Sequence, residues 1–206
     1  MLTPLFLMAL SQTAQAASNT LAFETGGQHT QDPAFDEVSS SGSWRTLGVS
    51  GGYALLPYLA VTGSFHRRTM GSEHSFYGGD APGADTGFTA AWYGNRYGLG
   101  VALEPSVSHW LRPYVEVQGT LSQGTLRVDD DTVSEENLNQ LQARAFAPGF
   151  TAAGGARLAL GLPEWPVVPS LHLELGYGWT GQLDYGEMGD MAFRGFMIRS
   201  GVGVMF

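Results

Sequence analysis

The sequence contains no cysteine and no lysine, and only 14% of its 206 residues are charged. Without cysteine, disulfide bonds and thiolate metal sites are excluded. Soluble β proteins commonly carry lysine on their edges and about 25% charged residues overall, so this composition is unlike theirs. Beyond the first residues of the chain, no apolar run reaches the roughly eighteen residues that a transmembrane helix needs. What is abundant is glycine, with 29 residues, which fits a chain of strands and tight bends.

The N-terminus has the pattern of a secretory signal peptide. An apolar core within Met1–Leu10 is followed by the cleavage motif Ala14-Gln15-Ala16, although no basic residue precedes the core. We therefore predict a signal peptide over residues 1–16 and a single mature domain over residues 17–206. The alternative is a buried first helix or strand. The net charge of −9 argues against nucleic acid as a partner.

Apolar residues alternate with small or polar residues along many segments, which is the pattern of β-strands. The clearest example is Ser170–Thr180, where every second residue is a leucine or an aromatic residue. The same period governs Phe196–Phe206, which ends with Val202, Val204 and Phe206 on one face. This ending resembles the C-terminal assembly signal of bacterial outer-membrane β-barrels.

Turns and loops alternate along the chain and predict eight antiparallel strands. The skeleton Leu-x-Pro-Tyr-x-x-Val-x-Gly occurs at Leu55–Gly63 and again at Leu111–Gly119, and we interpret each copy as a hairpin around a proline turn. A third turn is predicted over Leu162–Pro169. Between these turns lie long polar stretches, at 29–43, 68–95, 128–144 and 181–192. Residues 86–97 form either a hairpin extension or further membrane strands.

The charged residues distinguish the two faces of the predicted barrel. Most acidic residues fall in the polar stretches, and those in strands share a face with glycine, serine and threonine. That face is assigned to the lumen, because a charge facing the middle of the bilayer costs about 2–4 kcal/mol. Aromatic residues near the strand ends are predicted to form interfacial girdles: Tyr53, Tyr58, Trp110, Tyr114, Trp165, Tyr177 and Trp179. Trp110 and Tyr114 nevertheless have lumenal parity.

The signal pattern, the alternating strands, the repeated Pro-Tyr motif and the terminal Phe206 together resemble the small outer-membrane barrels of the OmpA/OmpX type. The resemblance covers the mature chain but is architectural, and it transfers no functional residue. It implies an all-β, eight-stranded, antiparallel up-and-down transmembrane barrel with long external loops and short periplasmic turns. It also implies a bacterial outer-membrane location, a monomer, and contact with outer-membrane lipid, lipopolysaccharide and the barrel-assembly machinery.

A lumenal charge network is the candidate site, and Val202, Val204 and Phe206 form the candidate assembly signal. We expect Glu174 to lie between Arg157 and Arg199 inside the barrel. The network comprises Glu24, Glu104, Glu116, Arg157, Glu174, Arg199, His66 and His172. Because an eight-stranded barrel is only wide enough for its own side chains, these groups are expected to plug the lumen. The alternative is a narrow, gated ion path.

Catalysis and metal binding are less favoured. Ser108-His109, His66 and His172 with Glu174 supply hydrolase residue types, but His172 and Glu174 lie about 6.6 Å apart along one strand and face away from lipid. We therefore predict no catalytic residue, no metal site and no cofactor. The acidic run Asp129-Asp130-Asp131 with Glu135 and Glu136 lacks the spacing of a calcium loop. We predict a non-enzymatic barrel with an envelope-structural or surface-binding role, with a small gated channel and then a lipid-modifying enzyme as alternatives.

Overall fold

A computed structural model describes residues 18–30, 43–69, 73–78, 85–105, 107–129, 142–162, 164–186 and 190–206. Within these ranges the chain forms nine strands: β1 Thr20–His29, β2 Ser43–Leu56, β3 Leu59–Thr69, β4 Glu73–Gly78, β5 Asp85–Leu103, β6 Leu111–Asp129, β7 Gln142–Ala159, β8 Val168–Asp184 and β9 Asp190–Met205. The predicted signal peptide lies outside these ranges. In the described part of the chain, no helix is long and apolar enough to cross a membrane.

Eight of these nine strands close into an antiparallel barrel in which each strand pairs with its neighbours in sequence. The sheet order runs β3-β2-β1-β9-β8-β7-β6-β5, and a β3–β5 pairing closes the ring. The last strand pairs with the first, with Val204 opposite Leu21 and Val202 opposite Phe23. Backbone hydrogen bonds between Asn19 and Phe206 extend this pairing beyond the strands. The predicted all-β, eight-stranded antiparallel barrel is therefore confirmed.

The ninth strand, β4, lies outside the ring and pairs only with the first part of β5. Glu73–Gly78 is antiparallel to 85–90, and β5 then continues without interruption into the barrel wall. Residues 86–97 are thus one strand of a hairpin extension that leads into the barrel. They do not form a separate pair of membrane strands.

The strands extend further into the polar stretches than the sequence indicated. β5 and β6 have 19 residues each and β7 has 18, because pairing continues beyond the apolar segments. The prediction of a proline turn within Leu111–Gly119 is wrong, because this segment is part of the continuous strand β6. Pro113 lies inside β6 opposite Ala156 on β7, near the start of the strand, where a missing N–H is tolerated.

The two ends of the barrel differ, and we name them by their connections. The turn end carries the connections 57–58, 104–110 and 160–167 together with Asn19 and Phe206. The loop end is the opposite one, where β1, β3, β6 and β8 end and β2, β5, β7 and β9 begin.

The outward face is a belt of exposed apolar side chains. Phe23 is 65% exposed, Leu99 is 70% exposed and Phe196 is 66% exposed, although all three lie in the middle of paired strands. Such a surface is unfavourable in water and favourable in hydrocarbon. Around the turn end the belt is bordered by half-exposed aromatic residues, including Tyr53, Tyr58, Trp110 and Trp165.

Candidate functional site

The side chains of all the predicted lumenal residues point into the barrel. Each residue lies on a strand, except Glu104, which directly follows β5. Glu24, Glu104, Glu116, Glu174, His66, His172 and Arg199 are buried, and the Arg157 side chain retains 12% exposure. The period of two along each strand explains this placement, because residues two apart point to the same face. The barrel interior is therefore the candidate site.

Glu24 on β1 is the acceptor at the centre of the network. His66 Nε2 lies 2.6 Å from Glu24 Oε2, and Arg199 Nη1 donates to the same oxygen at 3.3 Å. Glu24 Oε1 accepts a hydrogen bond from Ser50 and lies 3.3 Å from His172 Nε2. One carboxylate thus joins groups from strands β2, β3, β8 and β9. This arrangement stabilises its charge in a site that is almost closed to water.

The predicted position of Glu174 between two arginines is only half realised. Arg199 Nη2 forms an ion pair with Glu174, whereas Arg157 Nη1 forms its ion pair with Glu104. Tyr114 stands where the second arginine was expected, because its hydroxyl donates to Glu174 Oε2 at 2.9 Å. Its ring lies 4.2 Å from the Arg157 guanidinium carbon. Tyr114 is therefore a buried lumenal residue and not part of an interfacial girdle.

Glu116 differs from the other lumenal glutamates in its partners. Gln118 Nε2 donates to Glu116 Oε1 at 3.0 Å, and among the described residues no arginine or histidine forms an ion pair with it. Gln118 itself bridges to Thr62 at 3.3 Å and accepts from Ser64 at 2.8 Å. The hydrogen-bond donor to this carboxyl group is therefore an uncharged side chain, although Glu174 and Arg157 line the same small cavity.

Two lumenal arginines were missed by the sequence reasoning. Arg68 and Arg96 are 2% and 3% exposed, and Arg96 Nη1 donates to Thr151 Oγ1 at 3.1 Å. Both had been assigned to a polar stretch or its border. Continuing the alternation would have found them, since Arg68 has the parity of His66, and Arg96 has the parity of Glu104.

An apolar cluster fills the lumen on the loop-end side of the charged network, and it too was missed. It consists of Trp44, Trp92, Leu126, Ala145, Ala147, Leu183, Tyr185, Met191 and Phe193. The ring centroids of Trp44 and Trp92 are 5.0 Å apart, and each lies within 5 Å of the Phe193 ring. Trp92 Nε1 donates to Tyr185 Oη at 2.7 Å. Burial raises the pKa of the Tyr185 phenol to about 12.

Gly124 provides the space for this cluster. A Cβ at Gly124 would overlap Tyr185 Oη and would lie 2.9 Å from the Trp92 ring. Only a residue without a side chain leaves room for both groups, so glycine at this position of β6 is a packing requirement.

Little empty space remains beside the Glu24 network. The polar cavity bordered by Glu24, Glu116 and Glu174 has a volume of about 10 Å³, the room of about one water molecule.

Within the described residues, no group of three or more histidine, aspartate or glutamate side chains is placed to hold a metal ion. Asp129 ends β6, and the rest of the predicted acidic run lies outside the described residues.

The sequence profile described as "Outer membrane protein beta-barrel domain" matches residues 2–206. The chain belongs to this family. It is accordingly a protein of the bacterial outer membrane, as predicted, and its exposed apolar belt faces lipid. Outer-membrane barrels have short periplasmic turns and longer extracellular loops, so we expect the turn end to face the periplasm and the loop end to face outward.

A solved structure of an outer-membrane barrel shares this fold. Ail, the attachment invasion locus protein of Yersinia pestis, superposes with a TM-score of 0.52 at 10% identity, over 92% of this chain and 99% of that one. The N-terminal barrel domain of Pseudomonas aeruginosa OprF gives a TM-score of 0.46 at 17% identity, over 93% of this chain and 100% of that one. No curated protein matches the sequence. At these identities the likeness concerns the fold alone.

Proposed function

We propose that this outer-membrane barrel is non-enzymatic and non-conducting, and that it has an envelope-structural or surface-binding role exerted by its external loops. The observation that carries the proposal is the filled lumen. The ion-pair network around Glu24 and the apolar cluster around Trp92 close the interior at two successive levels. A barrel that offers no path through its interior acts at its outer surfaces.

The filled lumen also counts against a small gated channel. Ion movement through the barrel would require the Trp44, Trp92 and Phe193 rings to separate, and it would also require the Arg199–Glu174 ion pair to break. Breaking a buried pair leaves uncompensated charge and costs about 3–5 kcal/mol. Two independent closures in series therefore favour a permanently closed barrel.

The candidate hydrolase residues are not arranged for catalysis. In a catalytic triad, the serine hydroxyl contacts a histidine and the histidine contacts a carboxylate. Among the described contacts, Ser50 donates directly to the Glu24 carboxylate and not to a histidine, so this arrangement is absent from them. Ser108 Oγ accepts the backbone N–H of Leu111 in the turn. His172 lies in the lumen beside Glu24, where it does not face lipid. This arrangement supports a non-enzymatic role.

The partners that we propose follow from location and surface. The exposed belt is suited to phospholipid and lipopolysaccharide, Phe206 and its neighbours are suited to the assembly machinery, and the barrel acts as a monomer. In sequence, the stretches at the loop end are rich in aspartate and glutamate, as in Asp129-Asp130-Asp131. Such a surface favours cationic partners or binding bridged by divalent cations.

Planar-bilayer recording tests the closed lumen. The purified full-length barrel is expected to give no steady conductance at any voltage at which an open porin, reconstituted in the same membrane, conducts. A steady conductance that scales with the number of inserted barrels would contradict the proposal and favour the channel.

Complementation of cells that lack the protein tests the role of the loops. One strain receives the wild-type chain, and the other receives a chain in which 31–42 and 130–141 are replaced by short Gly-Ser linkers. Detergent sensitivity reports a structural role, and adhesion to glycan-coated surfaces reports a binding role. The wild-type chain is expected to restore at least one of them and the loop-trimmed chain neither, at equal outer-membrane levels. Full restoration by the loop-trimmed chain would show that the role does not depend on these loops.

A further inference from the structure

A row of lumenal positions crosses five neighbouring strands directly beneath the apolar cluster. Arg199 on β9 pairs in register with Gly26, Gly26 with Thr46, Thr46 with Arg68, and Arg68 with Gly94 on β5. A Cβ at Gly26 would overlap the backbone oxygen of Ile198 and would lie 3.0 Å from Arg199 Cγ, so glycine leaves room for both the neighbouring strand and the Arg199 side chain. The row therefore brings long cationic side chains together inside the barrel.

Hydrogen-bond donors without acceptors are concentrated at Arg68. Arg68 Nε and Nη1, Arg96 Nε and the Thr46 hydroxyl are all buried without a hydrogen-bond partner. Thr46 is the register partner of Arg68, and Arg96 lies diagonally across on β5, opposite His66. Arg68 stacks on Trp44, with its guanidinium carbon 5.2 Å from the ring centroid. All of these groups can donate, so a ligand placed among them must accept hydrogen bonds.

The charge around Arg68 is also uncompensated. Within the described residues, no carboxylate forms an ion pair with Arg68 or Arg96, whereas Arg157 and Arg199 each have one. Arg68 and Arg96 lie close enough for their positive charges to act on each other, and the carboxylates of Glu174 and Glu24 act on Arg96 but not on Arg68. An unpaired buried charge costs several kcal/mol after relaxation, and water alone satisfies donors without supplying the opposite charge.

We infer that Arg68, Arg96 and Thr46 form an occluded binding site for one small monovalent anion of halide size. The arginine N–H groups and the threonine hydroxyl donate to the anion, and its charge offsets the repulsion between the two guanidinium groups. The site lies between the apolar cluster and the Glu24 network, both tightly packed, so an anion the size of a phosphate ester or a lipid headgroup is excluded. The bound anion completes the closed lumen and does not pass through it.

Equilibrium unfolding in matched salts tests the site. The full-length barrel in detergent is unfolded in urea and refolded either in sodium chloride or in sodium gluconate at equal ionic strength, because gluconate is too large to enter. We expect a higher urea midpoint in chloride for the wild type. Arg67→Gln, the adjacent outward-facing arginine, should retain the whole difference between the salts. Arg68→Gln should lose it, and Thr46→Val should reduce it.

A second measurement keeps the inference testable if Arg68→Gln fails to fold. Crystals of the wild-type barrel grown in bromide are expected to show an anomalous peak within hydrogen-bonding distance of Arg68 Nε or Nη1. Density that contains only water there, or a salt difference that is equal in wild type and Arg68→Gln, would overturn the site. Neither outcome depends on whether the barrel conducts, so this inference and the proposed function can fail separately.

Discussion

Tyr114 donates a hydrogen bond to Glu174 across the lumen, from β6 to β8, with 2.9 Å between the two oxygens. The same ring stacks on Arg157, which is paired with Glu104 nearer the turn end. Tyr114 thus separates the lumenal charges into two groups, Arg157 with Glu104 and Arg199 with Glu174 and Glu24. This division leads to a prediction about which charges are energetically coupled.

The first prediction concerns Arg157. In double-mutant cycles measured by urea unfolding, Arg157→Met with Glu104→Gln should show a coupling of about 0.5–3 kcal/mol, because the two groups are in direct contact. The cycle of Arg157→Met with Glu174→Gln should show a smaller coupling, since that interaction passes only through Tyr114. Larger coupling to Glu174 than to Glu104 would contradict the assigned pairs.

The second prediction concerns Glu24. Glu24→Gln keeps the side-chain shape but removes the charge that offsets Arg199, so the free energy of unfolding should fall by about 3–5 kcal/mol. The midpoint of urea unfolding measures the loss. Glu164→Gln, in an exposed turn, is the matched control and should change stability by less than about 0.5 kcal/mol. Equal effects of the two substitutions would refute a central role for Glu24.

The third prediction concerns Gly124. A methyl group in Gly124→Ala overlaps Tyr185 Oη and crowds Trp92, so the hydrogen bond between these two residues should break. We expect a loss of about 1–3 kcal/mol and a change in tryptophan fluorescence. Gly119→Ala on the same strand is the control, because its Cβ would have its nearest neighbour at 3.8 Å. A fluorescence spectrum identical to that of the control would argue against the packing described.

The fourth prediction concerns Phe206, whose side chain is 58% exposed on the outward face. Phe206→Ala should lower the amount of barrel in the outer membrane of cells several-fold, because we propose that the assembly machinery recognises the terminal side chain. Spontaneous refolding into phospholipid vesicles should be nearly unchanged, since the backbone pairing with Asn19 remains. Phe196→Ala, also outward on β9, is the control. A parallel loss in cells and in vesicles would indicate a folding defect instead of a recognition defect.

The fold could be predicted from the sequence because one physical signal dominates it. Lipid on one side and a packed lumen on the other impose a period of two, which is visible in segments such as Ser170–Thr180. The strand ends were less predictable. Beyond the bilayer the outward face is no longer required to be apolar. Outward-facing polar residues such as Arg67 and Asn95 therefore interrupt the apolar alternation, although the strands continue through them.

The lumenal site could be predicted as a set of residues but not as a set of pairs. Parity places Arg157 and Glu174 inside, whereas their contacts depend on the stagger of the strands and on side-chain reach across the barrel. The apolar cluster was hidden for a different reason. Trp44, Trp92 and Phe193 lie at the borders of polar stretches or within them, where no strand alternation had been assigned.

The length of β5 and β6 has a consequence for recognition at the cell surface. Each has 19 residues, and crossing the bilayer requires about 9–11. The excess, together with β4, continues as paired ribbon on the outward side, about 20 Å beyond the hydrocarbon at a strand rise of 3.3 Å and the usual tilt. A partner that docks against this ribbon meets backbone that is already ordered. Its binding there carries a smaller entropic penalty than binding to a free loop.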